Sequence, residues 1–225
     1  MTENTRASIL SRDQQKLLAL IGADTYITKH FYLTGGTALA EFYLRHRYSE
    51  DLDFFSEHEV DPQSISVFFK KIQLSVGIRS VKYEQSLNRN LFFLLLKNKQ
   101  TIKTEFTYFP FSRIEKKLKI GTLGVDSLLD IAVNKLFTIY QRPRSRDFID
   151  LFCILEREKT ISLEILIKKA RIKFDHHIDP IQLGAQYLRA RELKDYPRMI
   201  KALPSSVWQT FFIEEARKLV PKILT

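Results

Sequence analysis

A chain of 225 residues, 44% hydrophobic and 12% aromatic, is long enough to bury a proper core and too apolar to be a disordered segment. Its net charge of +10 and pI near 9.6 point to polyanionic partners such as nucleic acid or nucleotide phosphates, or to an acidic protein, with a plain lysine-rich surface as the alternative. A single cysteine, Cys153 in LFCIL, excludes an intrachain disulfide, speaks against a thiolate metal site and reads as a small core residue.

The start, MTENTRASILSRDQQ, lacks the apolar core of a signal peptide, and the longest purely apolar run, Leu91 to Leu96, is too short to cross a bilayer. A cytoplasmic location is therefore expected. SRDQQKLLALIG predicts a helix with Ser11 as N-cap and Leu17, Leu18 and Ile21 on its apolar side. FYLT, Phe31 to Thr34, predicts a short strand that ends at Gly35-Gly36, and ALAEFYL then has Leu39, Phe42 and Tyr43 at helical spacing. HRYSE is a polar turn and DLDFF the next strand. DPQSISVFFKKIQL predicts a helix with Pro62 in its first turn and a stripe of Ile65, Phe68, Phe69 and Ile72. Three strands follow, GIRSVKYEQ, NLFFLLLK and TIKTEFTYF, the last two joined as a hairpin through Asn98, Lys99 and Gln100. After GTLG, Gly121 to Gly124, the pattern is helical to the end, so a boundary is set there: an α/β core over 1–120 and a helical bundle over 121–225.

The residues that can carry chemistry stand out against this background. Period-two alternation puts Asp51 and Asp53 on one face of their strand and Leu52 and Phe54 on the other. Two like charges side by side repel unless a cation sits between them, and a divalent metal serves. In TIKTEFTYF, Glu105 and Lys103 fall opposite the apolar face, and Glu105 supplies a third acid. Three carboxylates from two strands can hold two Mg²⁺ ions, with Mn²⁺ as a substitute, because hard cations take oxygen ligands. Taken singly, Glu105 is an ordinary solvated strand residue, and Asp51 and Asp53 are edge charges that discourage aggregation. Gly35, Gly36 and Thr37 lie between a strand and a helix start, where glycines let backbone approach a phosphate, although a Gly-Gly pair also makes an ordinary tight turn.

GGTALAEFYLRHRYSEDLDF resembles the first motif of the nucleotidyltransferase superfamily that includes DNA polymerase beta. With Arg47 and Ser49 ahead of the two aspartates, it resembles in particular the AbiEii/AbiGii toxins of bacterial toxin–antitoxin and phage-defence systems. DSLLDIAVNKLFTIYQRPRSRDFIDLFCIL resembles that family's Lys helix followed by its Arg-Asp-x-x-Asp helix, so the likeness spans roughly residues 30 to 155. The resemblance implies an α/β nucleotidyltransferase core with a mixed sheet and flanking helices, completed by a C-terminal helical domain. It implies metal ligands at Asp51, Asp53 and Glu105, and nucleotide contacts from Gly35, Gly36, Thr37, Arg47, Ser49, Lys135 and Arg146, with Lys135 and Asp147 also catalytic. The superfamily's third acid is more usually aspartate, so Glu105 is a departure.

The second motif also reads from the residues alone. Lys135 shares a helical face with Leu128, Ile131 and Ile139; such an ammonium either snorkels to solvent or meets a phosphate. Asp147 and Asp150 follow Ser145 in a first turn, where the helix dipole favours acids. Arg142, Arg144 and Arg146 make a basic loop, solvated or gripping triphosphate or RNA. His176-His177 reads as structural or surface, and Trp208 and Phe212 as core. Together these readings lead to metal-dependent transfer of a nucleoside monophosphate from an NTP, with tRNA as the leading acceptor, by a toxin with a cognate antitoxin. A protein or small-molecule acceptor, or a non-catalytic binding module, are the other readings.

Overall fold

The computed structural model describes residues 8–115 and 118–219; the first seven residues and Val220, the end of the C-terminal amphipathic segment, lie outside them. The chain divides into two compact units. One comprises residues 8–43, 49–111 and 118–126, and the other residues 44–48, 112–115 and 127–219.

The first unit opens with α1 (Arg12–Ala23). Ser11 caps it by accepting from the Gln14 amide, and the Gln14 side chain accepts from Ser11 in return, a reciprocal box that satisfies two orphan donors. A second helix, α2 (Thr25–His30), was not anticipated; Asp24 caps it. Then come β1 (Tyr32–Thr34), the single turn α3 (Gly35–Ala38), a π-helical segment over Leu39–Leu44, and β2 (Leu52–Ser56). ALAEFYL is therefore helical as expected, but wound wider than an α-helix. The next helix, α4 (Pro62–Val76), starts at its Asp61 cap with Pro62 first, and stops at Gly77 with φ 78°, a left-handed conformation that glycine adopts without strain. The strands β3 (Ile78–Ser86), β4 (Arg89–Leu96) and β5 (Thr101–Tyr108) follow as expected.

The segment after them differs from the expectation. GTLG does not lead straight into helix: β6 (Leu118–Ile120) and β7 (Leu123–Val125) form a short hairpin, and β7 runs parallel to β1. Three-residue strands with a glycine in the second give no periodicity to read. The result is one seven-stranded mixed sheet in the order β3-β4-β5-β2-β1-β7-β6. One face carries Leu52, Phe54, Phe92, Leu94, Ile102 and Phe106, all buried, and Phe106 meets Phe31, Phe54, Phe69 and Phe92 with ring centroids 4.9–6.2 Å apart. The apolar stripe of α4 thus covers that face, leaving the opposite one to Asp53 and Glu105, which are register partners on the parallel strands β2 and β5.

The second unit holds α5 (Leu128–Gln141), α6 (Ser145–Arg157), α7 (Leu163–Phe174), α8 (Pro180–Leu188) and α9 (Ser205–Leu219), with a 3₁₀ turn at Arg189–Arg191. Phe148, Tyr187, Trp208 and Phe212 form its centre, all at most 1% exposed. Residues 46–48 belong to this unit through a strand-like bridge: Tyr48 N–H donates to the Arg198 carbonyl and Ile200 N–H to that of His46. Among the described residues no helix is long and apolar enough to cross a membrane.

Candidate active site

The acids of the first unit are arranged by strand pairing. Asp51 and Asp53 alternate with buried Leu52 and Phe54, so both carboxylates share a face with Lys103 and Glu105 of β5. Each carboxylate is accommodated differently. Lys103 Nζ lies 2.6 Å from Asp51 Oδ2, with the lysine 28% and the aspartate 35% exposed. Asp53 occupies space that a side chain at residue 35 would fill: a Cβ on Gly35 would stand 2.8 Å from Asp53 Oδ2. Gly35 also has φ 72°, so glycine is demanded twice over, by backbone conformation and by close approach. Thr37, fully buried, donates to the Asp51 carbonyl and lies 2.9 Å from Ser49 Oγ, which fastens the glycine turn to the chain entering β2. Gly36 is buried as well.

Glu105 is the third acid on this face. Arg89 on β4 grips it with two bonds, Nε to Oε1 at 2.6 Å and Nη2 to Oε2 at 2.5 Å, and Thr107 donates to Oε1 at 2.8 Å. Burial alone would raise the Glu105 carboxyl, but the bonds from Arg89 and Thr107 outweigh it and hold the group below the usual carboxylate range. The same bonding to Glu105, with the charges of Asp53 and Asp51, raises the Arg89 guanidinium.

These donors can be weighed for a divalent cation. Among the described residues no three His, Cys, Asp or Glu side chains are gathered closely enough to hold a metal. Asp51 and Asp53 fit one: both are oxygen donors on one strand face, one beside a glycine that leaves room, the other bound to a part-exposed lysine able to withdraw. Glu105 as it stands does not, because both its oxygens are engaged by Arg89.

The second unit gathers the other motif residues around Asp150. Arg47 Nε and Nη2 reach Asp150 Oδ1 and Oδ2 at 2.6 and 2.8 Å, His46 Nε2 lies 2.8 Å from Oδ1, and Lys135 Nζ lies 2.7 Å from Oδ2. Lys135 also bonds Asp147 Oδ1 at 2.7 Å. Arg47 and Asp147 are each 4% exposed and Asp150 is fully buried, whereas Arg142, Arg144 and Arg146 are exposed around buried Pro143. Burial on its own would push the Asp150 carboxyl up; Lys135, Arg47 and His46 reverse this and hold it well below the carboxylate range. Burial likewise opposes the Lys135 ammonium, but Asp150 and Asp147 prevail and raise it. Cys153, a turn further along α6, has its thiol pushed up to about 12, chiefly by burial, so it is no nucleophile.

The residues singled out by sequence thus fall into two groups: Gly35, Gly36, Thr37, Ser49, Asp51, Asp53 and Glu105 in the first unit, and Arg47, Lys135, Arg146 and Asp147 in the second. Arg89, Lys103, His46 and the central place of Asp150 were not foreseen. The hairpin carried a signal for Arg89: pairing Leu95 with Thr101 across Asn98 sets Leu91 opposite Glu105 and Arg89 one step along the same face.

The family model described as "Nucleotidyl transferase AbiEii toxin, Type IV TA system" matches residues 19–214. The chain belongs to this family. It is a nucleotidyltransferase of the toxin–antitoxin kind, and type IV membership gives it an antitoxin partner. An uncharacterized protein of Aquifex aeolicus (strain VF5), aq_aa25, is 32% identical over 173 residues, covering 75% of this chain and 79% of that one. Among solved structures, JHP933 from Helicobacter pylori has a TM-score of 0.60 at 18% identity, covering 95% of this chain and 94% of its own. A second H. pylori structure, described as a candidate nucleotidyltransferase, has a TM-score of 0.61 at 17% identity, covering 93% and 94%. At such identities these two likenesses bear on the fold alone.

Two outcomes follow from the geometry. Asp150→Asn leaves Arg47 and Lys135 buried beside a neutral group and should cost about 3–5 kcal/mol in urea unfolding near neutral pH. Because the folded carboxyl is depressed, its contribution is fully present above the unfolded value of about 4 and is lost as pH falls through the lower folded value. The gap between wild type and variant should therefore close only in acid; a gap that persists unchanged there contradicts the ionised assignment. Gly35→Ala should cost about 1–2 kcal/mol for the left-handed backbone and push the Asp53 carboxylate aside. Mn²⁺ affinity, read by electron paramagnetic resonance, should drop while circular dichroism stays native; unchanged affinity would detach Gly35 from the cation site.

Proposed function

We propose that this AbiEii-family enzyme transfers a nucleoside monophosphate from an NTP to tRNA, with Asp51 and Asp53 holding Mg²⁺, and that it does so in the cytoplasm as the toxin of a phage-defence system. The observation that carries the reading is the pair Asp51 and Asp53 on one sheet face, with Gly35 kept bare against Asp53. Two carboxylates on one strand face repel each other, and oxygen donors of this kind suit Mg²⁺ or Mn²⁺. Such an ion, when bound, neutralises triphosphate charge and favours ionisation of an attacking hydroxyl.

The chain's own residues have the remaining tasks. Gly35 and Gly36 let backbone approach the triphosphate, and Thr37 and Ser49 hold that turn against β2. Lys103, released from Asp51 as the ion binds, stays beside the site as a mobile point charge. Lys135 gives two of its three N–H groups to Asp147 and Asp150, keeping one for a phosphate oxygen. Arg146, exposed with Arg142 and Arg144, suits an RNA backbone. The acceptor hydroxyl oxygen bonds to the α-phosphorus, the bond from that phosphorus to the bridging oxygen breaks, pyrophosphate leaves and the hydroxyl proton passes to water. Catalysis is then a matter of position and charge. The net charge of +10 favours a nucleic-acid acceptor over a neutral metabolite.

The test is incubation with each α-labelled NTP, Mg²⁺ and total cellular RNA, followed by separation of RNA, protein and small molecules. Label should enter the tRNA fraction and be lost on chelation. Asp51→Asn and Asp53→Asn should each lower the rate on the order of 10²–10³-fold with thermal unfolding little changed. Label on protein or on a small molecule would transfer the reading to that acceptor, and normal turnover in either variant would move the metal elsewhere.

A further inference from the structure

Arg89 is an arginine that Glu105 holds on the face of the first unit's acids, and nothing in the family motifs calls for it. Its guanidinium is anchored by a carboxylate only 7% exposed, while its own side chain is 50% exposed. Nε and one N–H of Nη2 are spent on Glu105, and Thr107 braces the same carboxylate. Three N–H groups therefore remain on a planar fork that cannot swing away, since both ends of its anchor are tied. A buried acid that orients a half-exposed arginine beside two further acids is an arrangement for presenting a cation, not for storing one.

We infer that Arg89, positioned by Glu105, binds a backbone phosphate of the RNA acceptor next to its attacking end. The inference rests on the nucleotidyl-transfer reading above and specifies how that site takes its second substrate. Sheet order supplies the side. The strands run β4-β5-β2-β1, so Asp53 on β2 has the Gly35–Gly36 turn after β1 to one side and Arg89 on β4 to the other. In phosphoryl transfer the attacking and leaving oxygens lie roughly in line across the phosphorus. With the triphosphate at the glycine turn, the acceptor must come from the β5–β4 side, where Arg89 stands.

The neighbouring surface suits a nucleic-acid strand more than a lone anion. Phe93 shares this face with Arg89 and is half-buried, with Lys103 as its cross-strand partner and Lys82 Nζ 6.0 Å from its ring centroid. An aromatic flanked by cations is what an unstacked base and its phosphates require. Glu105 is on this account a positioning residue that acts through Arg89, not a metal ligand.

The experiment uses the full chain with bulk tRNA, measuring steady-state transfer, fluorescence anisotropy of labelled tRNA and Mn²⁺ binding. Arg89→Ala should raise the tRNA KM and the anisotropy Kd about tenfold, as for one charged hydrogen bond, and leave the NTP KM and Mn²⁺ affinity unchanged. The slope of log affinity against log salt should fall by about one. Glu105→Gln should shift the tRNA KM in the same direction, and Arg89→Ala with Glu105→Gln should be no worse than Arg89→Ala alone, because one acts through the other. Arg89→Lys should recover part of the loss. A rise in the NTP KM with tRNA binding intact would overturn the inference. So would loss of Mn²⁺ binding in Glu105→Gln alone, which would make Glu105 a metal ligand. If the wild type transfers no label to tRNA, the functional reading itself fails; the anisotropy still decides Arg89, since unchanged tRNA affinity in Arg89→Ala rejects it.

Discussion

Three carboxylates on one face of one sheet are the constraint around which the first unit is built. Asp51, Asp53 and Glu105 come from adjacent parallel strands, and strand pairing does not let them turn away from one another. The fold answers with three different devices. Asp51 takes a lysine that is part-exposed and can leave. Beside Asp53 a glycine with φ 72° leaves the space that a Cβ would take from its carboxylate. Glu105 takes an arginine held by both oxygens. These answers differ in how easily they are undone, and that difference sorts the acids by task. A lysine in partial contact with solvent is cheap to displace, whereas a buried carboxylate gripped at both oxygens by a half-exposed guanidinium is costlier to part from its partner.

The second unit follows the same rule with the opposite outcome. Asp150, fully buried, collects Arg47, His46 and Lys135, and its low proton affinity follows from their charge and hydrogen bonds prevailing over burial. A carboxylate so surrounded cannot be removed without stripping Arg47, His46 and Lys135 of a shared buried partner. Arg47, which the motif suggests as a nucleotide contact, is committed to Asp150 and held by the bridge between residues 46–48 and 198–200. Lys135 retains more freedom, because two carboxylates share it and neither takes all its protons.

Much of this was legible in the sequence, and the part that was not has a physical reason. The α4 stripe, the β2 alternation and the hairpin around Asn98 follow from side-chain periodicity, and each element lies close to the span its pattern marks. The strands β6 and β7 did not show, since three residues are too few for a period and Gly124 interrupts the second. The facing of Asp51, Asp53 and Glu105 was readable because alternation fixes it within each strand. Their partners were not: Arg89 reaches Glu105 through the register of β4 on β5, and Arg47 reaches Asp150 across 103 residues of chain. Local patterns report which face a residue occupies. They do not report which charge it will find there.

The central claim is that Asp51 and Asp53 take a divalent cation while Glu105 remains with Arg89. Crystals of the protein grown with Mn²⁺ and a non-hydrolysable NTP, with diffraction recorded at the manganese edge, test it directly. The account predicts an anomalous peak about 2.1 Å from oxygens of Asp51 and Asp53, with Lys103 withdrawn and the Arg89–Glu105 pair intact. A peak bonded to Glu105 with Arg89 displaced, or manganese bound away from both aspartates, would contradict it.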